Sequence, residues 1–282
     1  MTIMMVTTVN VGFVSCDDDD DNNLSGGAPS TSAGVIDPNS GLRIKSFENF
    51  NVYYTDDGKI DYIINSSPKA KYEFSYNPNR ICYVSSVYSE SGTYIMSYNA
   101  NGWISTIDFT DDFSISDKDK TRCTGKYVFS YDGDGHLTSI SCYGKDSISS
   151  DGTSRIENFS NNTTYTWGDG LLKEITNVEK LYGKEDIYTV AYSYATEYTN
   201  KYKQWAGYFR SKGDLLFILS NLGLMGNGPD KLPSSSSESY NQNDSYSVTY
   251  SYRFNNDGSV SYASGCTFIY ETTDGASTTH VE

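Results

Sequence analysis

The sequence predicts an all-β protein, a large antiparallel up-and-down sheet of consecutive hairpins that curls into a barrel-like structure. First, the 282 residues include 26 Tyr and 12 Phe, and aromatic side chains suit the half-buried surfaces of strands. Second, these aromatic residues recur at every other position in short runs, which is the period of a strand. Third, turns of the Asp/Asn–Gly type separate the runs, and such turns are typical of hairpins.

One hairpin unit recurs along the chain, and its best example is residues 127–140. Aromatic residues at alternate positions lead into a turn that ends in Gly, and apolar residues follow two and five positions after that Gly. Gly supplies the positive φ that tight turns need, and Asp or Asn hydrogen bonds its own backbone there. The unit occurs at residues 54–63, 74–84, 98–107, 131–140, 167–175 and 250–260.

The two apolar positions after each Gly have opposite parity, so a regular strand cannot place both on one face of the sheet. Two explanations are open at this point. Either a β-bulge lies between the two positions, or both faces of the sheet are partly covered. A bulge would add curvature, which a row of hairpins needs if it is to curl and protect its edges.

The pattern of units is interrupted by an insertion at about residues 195–243. Its centre predicts one short helix, because Leu recurs at helical spacing, Ser211 with Asp214 resembles an N-cap and Gly223 is a natural end. This helix is apolar nearly all round and must be buried. We therefore expect it to plug or cap the curled sheet. The leucines are Leu215, Leu216, Leu219 and Leu222.

The N-terminus predicts a lipoprotein signal peptide over residues 1–16. An apolar stretch too short to span a bilayer ends at Phe13-Val14-Ser15-Cys16, the size expected for a signal peptide. The ending resembles a bacterial lipobox, although Phe13 stands where Leu is usual and no Lys or Arg precedes the stretch. The resemblance implies that Cys16 carries lipid and anchors the protein. The alternative is an apolar tail with a chance cysteine.

Five aspartates at residues 17–21 follow this cysteine. The run resembles the export signal of surface lipoproteins in gut-dwelling Gram-negative anaerobes, which implies a lipid-anchored, surface-exposed location on the outer membrane. Residues 17–40 are acidic and then rich in Ser, Gly, Pro and Asn, so we expect a flexible tether. Such an anchor would make a transmembrane barrel redundant.

From about residue 41 to 282 the chain is expected to form one domain, and its units carry a family resemblance. They resemble the tyrosine-aspartate repeats of rearrangement-hotspot-type surface proteins. They are more similar to a family of lipoproteins of unknown function from the same gut lineage, which has a porin-like β-fold. Residues 222–226 and 231–233 are similar to a late segment of that family. The resemblance implies a fold and a location but no activity.

Candidate chemistry is scarce in the sequence. The two histidines, His136 and His280, have no partner in the pattern, which argues against a zinc or Ser-His-Asp site. The carboxylates concentrate in wet turns, whereas glycoside hydrolysis needs one desolvated acid. Asp132-Gly-Asp134-Gly135 resembles only part of a calcium loop. We therefore expect no catalytic residues, no metal site and no cofactor.

The other polar features are compatible with a cell-surface location. The formal charge of −15 argues against nucleic acid as a partner. Four cysteines remain after Cys16, and they allow either two disulfides or buried free thiols. Asp146-Ser147-Ile148 resembles the O-glycosylation signal of the same lineage, but a plain loop explains it as well. The four cysteines are Cys82, Cys123, Cys142 and Cys266.

The predicted function is a non-catalytic binding module, monomeric and lipid-anchored, for a glycan or peptide ligand. Tyr202, Trp205 and Tyr208 in the insertion are the candidate ligand-binding residues, because aromatic rings with a polar edge suit such ligands. The alternative for each ring is that it packs the helix onto the sheet. A structural or interaction component of an envelope complex is the second candidate function, and a glycoside hydrolase is a distant third.

Overall fold

The computed structural model describes residues 34–37, 41–67, 69–76, 79–85, 90–114, 120–150, 153–194, 198–206, 208, 214–241, 244–263 and 266–272. Cys16, the acidic run, Ser211 and His280 lie outside these residues. The described part contains eighteen strands and one helix. The first nine strands are β1 Val35–Asp37, β2 Leu42–Phe47, β3 Phe50–Tyr54, β4 Ile60–Ser66, β5 Lys69–Tyr76, β6 Asn79–Ser85, β7 Glu90–Tyr98, β8 Ile104–Ser114 and β9 Lys120–Tyr131.

The second half of the chain continues this order and holds the helix. No described helix is long and apolar enough to cross a membrane. The elements are β10 Leu137–Ser150, β11 Thr153–Gly168, β12 Leu171–Leu181, β13 Lys184–Ser193, α1 Asp214–Asn221, β14 Ser235–Tyr240, β15 Asp244–Thr249, β16 Tyr252–Phe254, β17 Val260–Ala263 and β18 Cys266–Thr272.

The strands form one antiparallel up-and-down sheet, as the sequence predicts. Each strand from β2 to β14 pairs with the next. β18 pairs with β2, which joins the last described strand to one of the first. β15 pairs with β14, whereas β16 pairs with β17, so the chain changes partner near Tyr250. The sheet is therefore curled but not closed.

The hairpin turns share one hydrogen-bond pattern. The amide of the turn Gly donates to the carbonyl oxygen three residues earlier in the turns that end at Gly58, Gly102, Gly135 and Gly258. Each of these glycines has a positive φ, between 78° and 88°, where a side chain would be strained. These turns lie at one end of the sheet, which we call the turn end.

A β-bulge follows each of these turns. It explains how the two apolar positions after each Gly, which have opposite parity, can lie on the same face. Tyr54 pairs with Ile60 but Tyr53 pairs with Tyr62, so one residue of β4 is left unpaired. The same shift occurs between β7 and β8, β9 and β10, β11 and β12, and β16 and β17. Both apolar positions are buried as a result, as at Ile60 and Ile63. The unit at 74–84 is the exception, because the described register of β5 and β6 is continuous.

The insertion fills the curled sheet, as predicted, and its last part crosses the turn end. Phe217 of α1 is buried, with its ring centroid 5.4 Å from that of Phe47. After α1 the chain crosses the turn end and bonds to successive hairpins. The amide of Ile104 donates to the carbonyl oxygen of Leu224, that of Asn227 to Gly135 and that of Asp230 to Gly170.

Candidate functional site

A cavity of about 310 Å³ lies on the inner face of the sheet, beside the first turn of α1. Its volume is at the lower end of the range for small-molecule sites. We call this cavity the tyrosine pocket. It is lined by four tyrosines, three acidic residues and two leucines: Tyr72, Tyr83, Tyr94, Tyr127, Glu90, Asp111, Asp214, Leu215 and Leu216.

The pocket is assembled from five adjacent strands, β5 to β9, and from the helix. Tyr72 and Tyr83 are directly opposite each other on β5 and β6, and their rings stack with centroids 4.8 Å apart. Such cross-strand aromatic pairs stabilise a sheet. Side chains alternate between faces along a strand, and residues directly opposite each other on neighbouring strands share a face. Every second residue of these strands therefore points toward the pocket. The wall is therefore a row of tyrosines with acids beside them.

A glycine in β7 leaves room for one of the acids. Gly92 lies directly opposite Asp111 in the register of β7 and β8. A Cβ atom at Gly92 would overlap Oδ1 of Asp111 and would lie 2.9 Å from the hydroxyl of Tyr94. Gly within a strand often marks such a close approach. The missing side chain at residue 92 is what allows the carboxylate of Asp111 to turn inward.

Each acid in the pocket accepts a hydrogen bond from a tyrosine. The hydroxyl of Tyr72 donates to Oδ2 of Asp214 over 3.0 Å. That of Tyr83 donates to Oε2 of Glu90, also over 3.0 Å. The third pair is Tyr94 with Asp111, whose second oxygen, Oδ1, is buried and has no partner among the described residues. The hydroxyl protons of the three tyrosines are thus already used in hydrogen bonds, whereas the carboxylates keep lone pairs that can accept further hydrogen bonds.

Burial changes the acidity of these groups. It raises the pKa of Tyr83 to about 12 and raises the pKa values of Tyr72 and Tyr94 as well, so the hydroxyls stay protonated donors. Burial also raises the pKa of Asp111 to about 6, against the hydrogen bond from Tyr94, and the charges of Asp112 and Glu90 act in the same direction as burial. Ionised Asp111 therefore lowers the stability of the folded protein at neutral pH.

The three aromatic residues predicted to bind ligand do not form one exposed face. Trp205 is 1% exposed, and its Nε1 donates to the carbonyl oxygen of Gly226 over 3.2 Å. Its indole packs the insertion against the sheet, which was the alternative to ligand binding. The prediction that Trp205 binds ligand is therefore wrong. Its ring lies edge-on to those of Tyr165 and Trp167 on β11.

Tyr208 and Tyr202 lie in different surroundings. The ring of Tyr208 packs edge-on against Tyr192 at 5.2 Å. The hydroxyl of Tyr202 donates to the carbonyl oxygen of Asp257 over 3.3 Å. A smaller cavity of about 150 Å³ lies beside Tyr202 and Trp205. This volume is below the usual range for ligand sites, and ligand binding by Tyr202 stays a prediction.

The sequence suggested that His136 has no partner, and that was wrong. Its Nδ1 lies 3.1 Å from Oδ2 of Asp132, and its ring stacks on Trp167 with centroids 4.2 Å apart. Ligand atoms of Asp132, Asp134 and His136 lie within 4.8 Å of one another. The other oxygen of Asp132 accepts from the amides of Asp134 and His136, so this group stabilises the hairpin turn. The partner was missed because it belongs to the same turn.

The described cysteines show both of the states that the sequence left open. Cys123 and Cys142 have free thiols, and Cys82 is disulfide-bonded. Burial raises the pKa of Cys142 to about 11, and burial raises the pKa of Cys123 too. Thiols of this kind react poorly because the thiolate is the reactive form. Neither thiol is a candidate nucleophile.

The residues of the tyrosine pocket were not among the candidates from sequence. Their tyrosines match the packing pattern of ordinary hairpin strands, and function was expected in the insertion, which supplies only Asp214, Leu215 and Leu216 to the pocket. One signal was available. Asp111 has the same parity on β8 as the buried residues Ile107 and Phe109, and an acid on the apolar face of a strand is unusual.

A curled antiparallel sheet of consecutive hairpins with an internal plug defines a porin-like β-fold. The chain is similar to a porin-like protein from Bacteroides vulgatus, with a TM-score of 0.54 and 14% identity over 81% of this chain and 92% of that one. A second porin-like protein, from Bacteroides uniformis, is matched at a TM-score of 0.29 and 11% identity, over 68% of this chain and 86% of that one. No family model matches the sequence, and no curated protein does. The first likeness shows the fold.

Proposed function

We propose that this protein is a lipid-anchored cell-surface protein whose folded domain, from about residue 41, is a non-catalytic binding module for a glycan or peptide. The ligand site is the tyrosine pocket. The observation that carries this proposal is the pocket itself, a cavity of about 310 Å³ that combines tyrosine rings with carboxylates. Binding sites typically combine aromatic walls with a few convergent polar groups, and this pocket has both, although its three acids make it more polar than most.

The two other candidate functions have weaker support. Tyr143 and Ile156 are exposed on the adjacent strands β10 and β11, at 51% and 68%, and exposed apolar side chains of this kind favour an interaction component of an envelope complex. Glycoside hydrolysis would need Asp111 to deliver a proton. Asp111 lines the cavity, but its carboxylate already accepts a hydrogen bond from Tyr94 and its other oxygen is buried against Gly92, so we keep glycoside hydrolysis as a distant third.

The pocket is tested by removing one of its rings. Replacing Tyr83 by alanine is expected to abolish the binding of ligands found by screening the full chain against a glycan array and a short-peptide library, because the ring forms one wall of the pocket. Tyr62→Ala is the matched control, since Tyr62 also belongs to a stacked cross-strand pair, with Tyr53 at 4.4 Å, but does not line the pocket.

Two results would contradict the assignment of the pocket. One is the absence of any ligand in both screens together with recovery of an envelope partner that does not depend on Tyr83. The other is a ligand that binds equally well to the Tyr83→Ala and Tyr62→Ala proteins.

The anchor has a separate test. Cys16→Ala is expected to release the protein from the membrane fraction, because the proposed lipid is attached to this sulfur and one lipidated residue supplies the membrane affinity. Fractionation of cells that express the full chain measures the effect. Cys123→Ala is the control, since its thiol is free within the folded domain. Membrane association that is unchanged in the Cys16→Ala protein would rule out the lipid anchor.

A further inference from the structure

We infer that the tyrosine pocket receives an organic ammonium group, such as the side-chain amine of a lysine residue or the amine of an amino sugar. This inference rests on the proposed function and narrows it to a class of ligand. It is argued from three features of the pocket: its charge, its hydrogen-bonding groups and its rings.

The charge of the pocket has one sign. Its lining contains Glu90, Asp111 and Asp214, and no Lys, Arg or His is among the lining residues. Two basic side chains of β9, the strand that contributes Tyr127 to the pocket, are paired with acids that do not line it. Lys126 lies 3.2 Å from Asp108 and Arg122 lies 3.9 Å from Asp112. A cation in the pocket would therefore meet unpaired negative charge in a partly desolvated place, where attraction is stronger than in water.

The hydrogen-bonding groups offer acceptors and few donors. The hydroxyls of Tyr72, Tyr83 and Tyr94 already donate to the three carboxylates. The carboxylates of Glu90 and Asp214 keep lone pairs, and an ionised carboxylate only accepts. An ammonium group carries three donors and no acceptor, so it matches this set. An anion would be repelled, and a neutral hydroxyl group could donate to a carboxylate but would bring only one donor and no positive charge.

The rings add a second attraction. Tyr72 and Tyr83 stack at 4.8 Å, and Tyr127 contributes another ring to the lining. The face of an aromatic ring attracts a cation within about 6 Å of its centre. A pocket with both rings and carboxylates binds a cation better than either feature alone would.

The same pairing of tyrosine with carboxylate recurs on later strands, which extends the acidic character beyond the pocket. The hydroxyl of Tyr182 donates to Asp146 over 2.9 Å, and that of Tyr188 donates to Glu238. Glu238 lies opposite the buried Val190 in the register of β13 and β14. Tyrosine hydroxyls therefore donate to carboxylates outside the pocket as well.

Binding should depend on pH through Asp111. The groups that face it are Tyr94 and Glu90 on β7, its neighbour Asp112, and Tyr127 and Cys123 on β9. The pKa of Asp111 is about 6 without ligand, so its carboxyl is mostly ionised at pH 7 and mostly protonated at pH 5. An ammonium group favours the ionised form, so affinity is expected to fall as the pH is lowered from 7 to 5.

The experiment uses the full chain and two pairs of small probes. Nα-acetyl-lysine amide is compared with its Nε-acetylated form, and glucosamine is compared with glucose, each by calorimetric titration at pH 7. At least one amine is expected to bind, and its neutral counterpart is expected not to. The pair that responds identifies the source of the amine.

Two variants place the effect in the pocket. Asp111→Asn is expected to weaken amine binding about tenfold, a typical effect for a charged partner in a desolvated site. Asp112→Asn changes the net charge equally on the adjacent, exposed residue and is expected to change affinity less than about twofold because solvent screens it. The Tm of the Asp111→Asn protein at pH 7 should equal or exceed that of the unmodified protein, which excludes loss of folding as the cause.

The outcomes separate the two claims. Equal binding of amine and neutral probes would overturn the ammonium inference, and so would equal affinity of the Asp111→Asn and Asp112→Asn proteins. The proposed function would still stand in either case if a ligand whose binding depends on Tyr83 had been found. If no probe binds and no Tyr83-dependent ligand exists in the wider screens, the proposed function fails and the ammonium inference fails with it.

Discussion

Replacing Trp205 by alanine is expected to lower the free energy of unfolding by about 3–5 kcal/mol. The indole is 1% exposed and lies edge-on to the rings of Trp167 and Tyr208, each at 5.9 Å. Its removal would leave a cavity between the plug and the sheet, and the carbonyl oxygen of Gly226 would lose its hydrogen bond from the indole. Since whole domains are stable by only about 5–15 kcal/mol, this loss is large.

Urea unfolding followed by tyrosine fluorescence would measure the effect. Trp205→Phe is the matched control, because it keeps most of the ring and loses the indole N–H, and it is expected to cost less than half as much. A Trp205→Ala protein within about 0.5 kcal/mol of the unmodified protein, the range of ordinary surface changes, would show that the indole does not hold the plug in place.

Replacing Gly144 by alanine is the second large effect, with an expected loss of about 1–3 kcal/mol. Gly144 lies directly opposite Gly125 on β9 and β10. A Cβ atom at residue 144 would overlap the carbonyl oxygen of Thr124 and lie 2.6 Å from the ring of Phe159. A strand backbone cannot move aside as a flexible side chain can, because its hydrogen bonds fix it.

Gly133→Ala provides the control for Gly144→Ala on the same hairpin. No atom lies within 4 Å of a Cβ at residue 133, and its φ is not positive. That change is expected to be neutral or to stabilise by about 0.4–1 kcal/mol, because alanine restricts the unfolded chain. Equal unfolding midpoints for the two alanine proteins would contradict the close packing at Gly144.

Much of the fold could be predicted because it is encoded locally. The turn glycines, the Asp or Asn residues and the alternating aromatics all act within about ten residues of one another, so they specify each hairpin without reference to long-range contacts. The unusual parity after each Gly pointed to the bulge that lets Ile60 and Ile63 share one face. The apolar helix could only be buried, so its place as a plug followed.

The site could not be predicted because it depends on which strands become neighbours and on where the plug stops. Tyr72 and Asp214 form a hydrogen bond although 142 residues separate them in the chain. Trp205 resembled an exposed aromatic ligand group in sequence, and only the packed structure shows that it is buried. Burial of a side chain is a property of everything around it, which no local pattern contains.

The sequence by itself determined the hairpin unit, the short helix and the consecutive pairing of the strands, and it left a bulge as one of two explanations for the parity after each Gly. Only the tertiary structure decided that four tyrosines and three acids meet in one cavity, and that Gly92 leaves the space for Asp111. The physical reason is the distance along the chain over which the interactions act. Turns and strand periodicity arise from backbone sterics over a few residues, whereas a pocket arises from the curvature of the whole sheet and the depth to which the plug enters it.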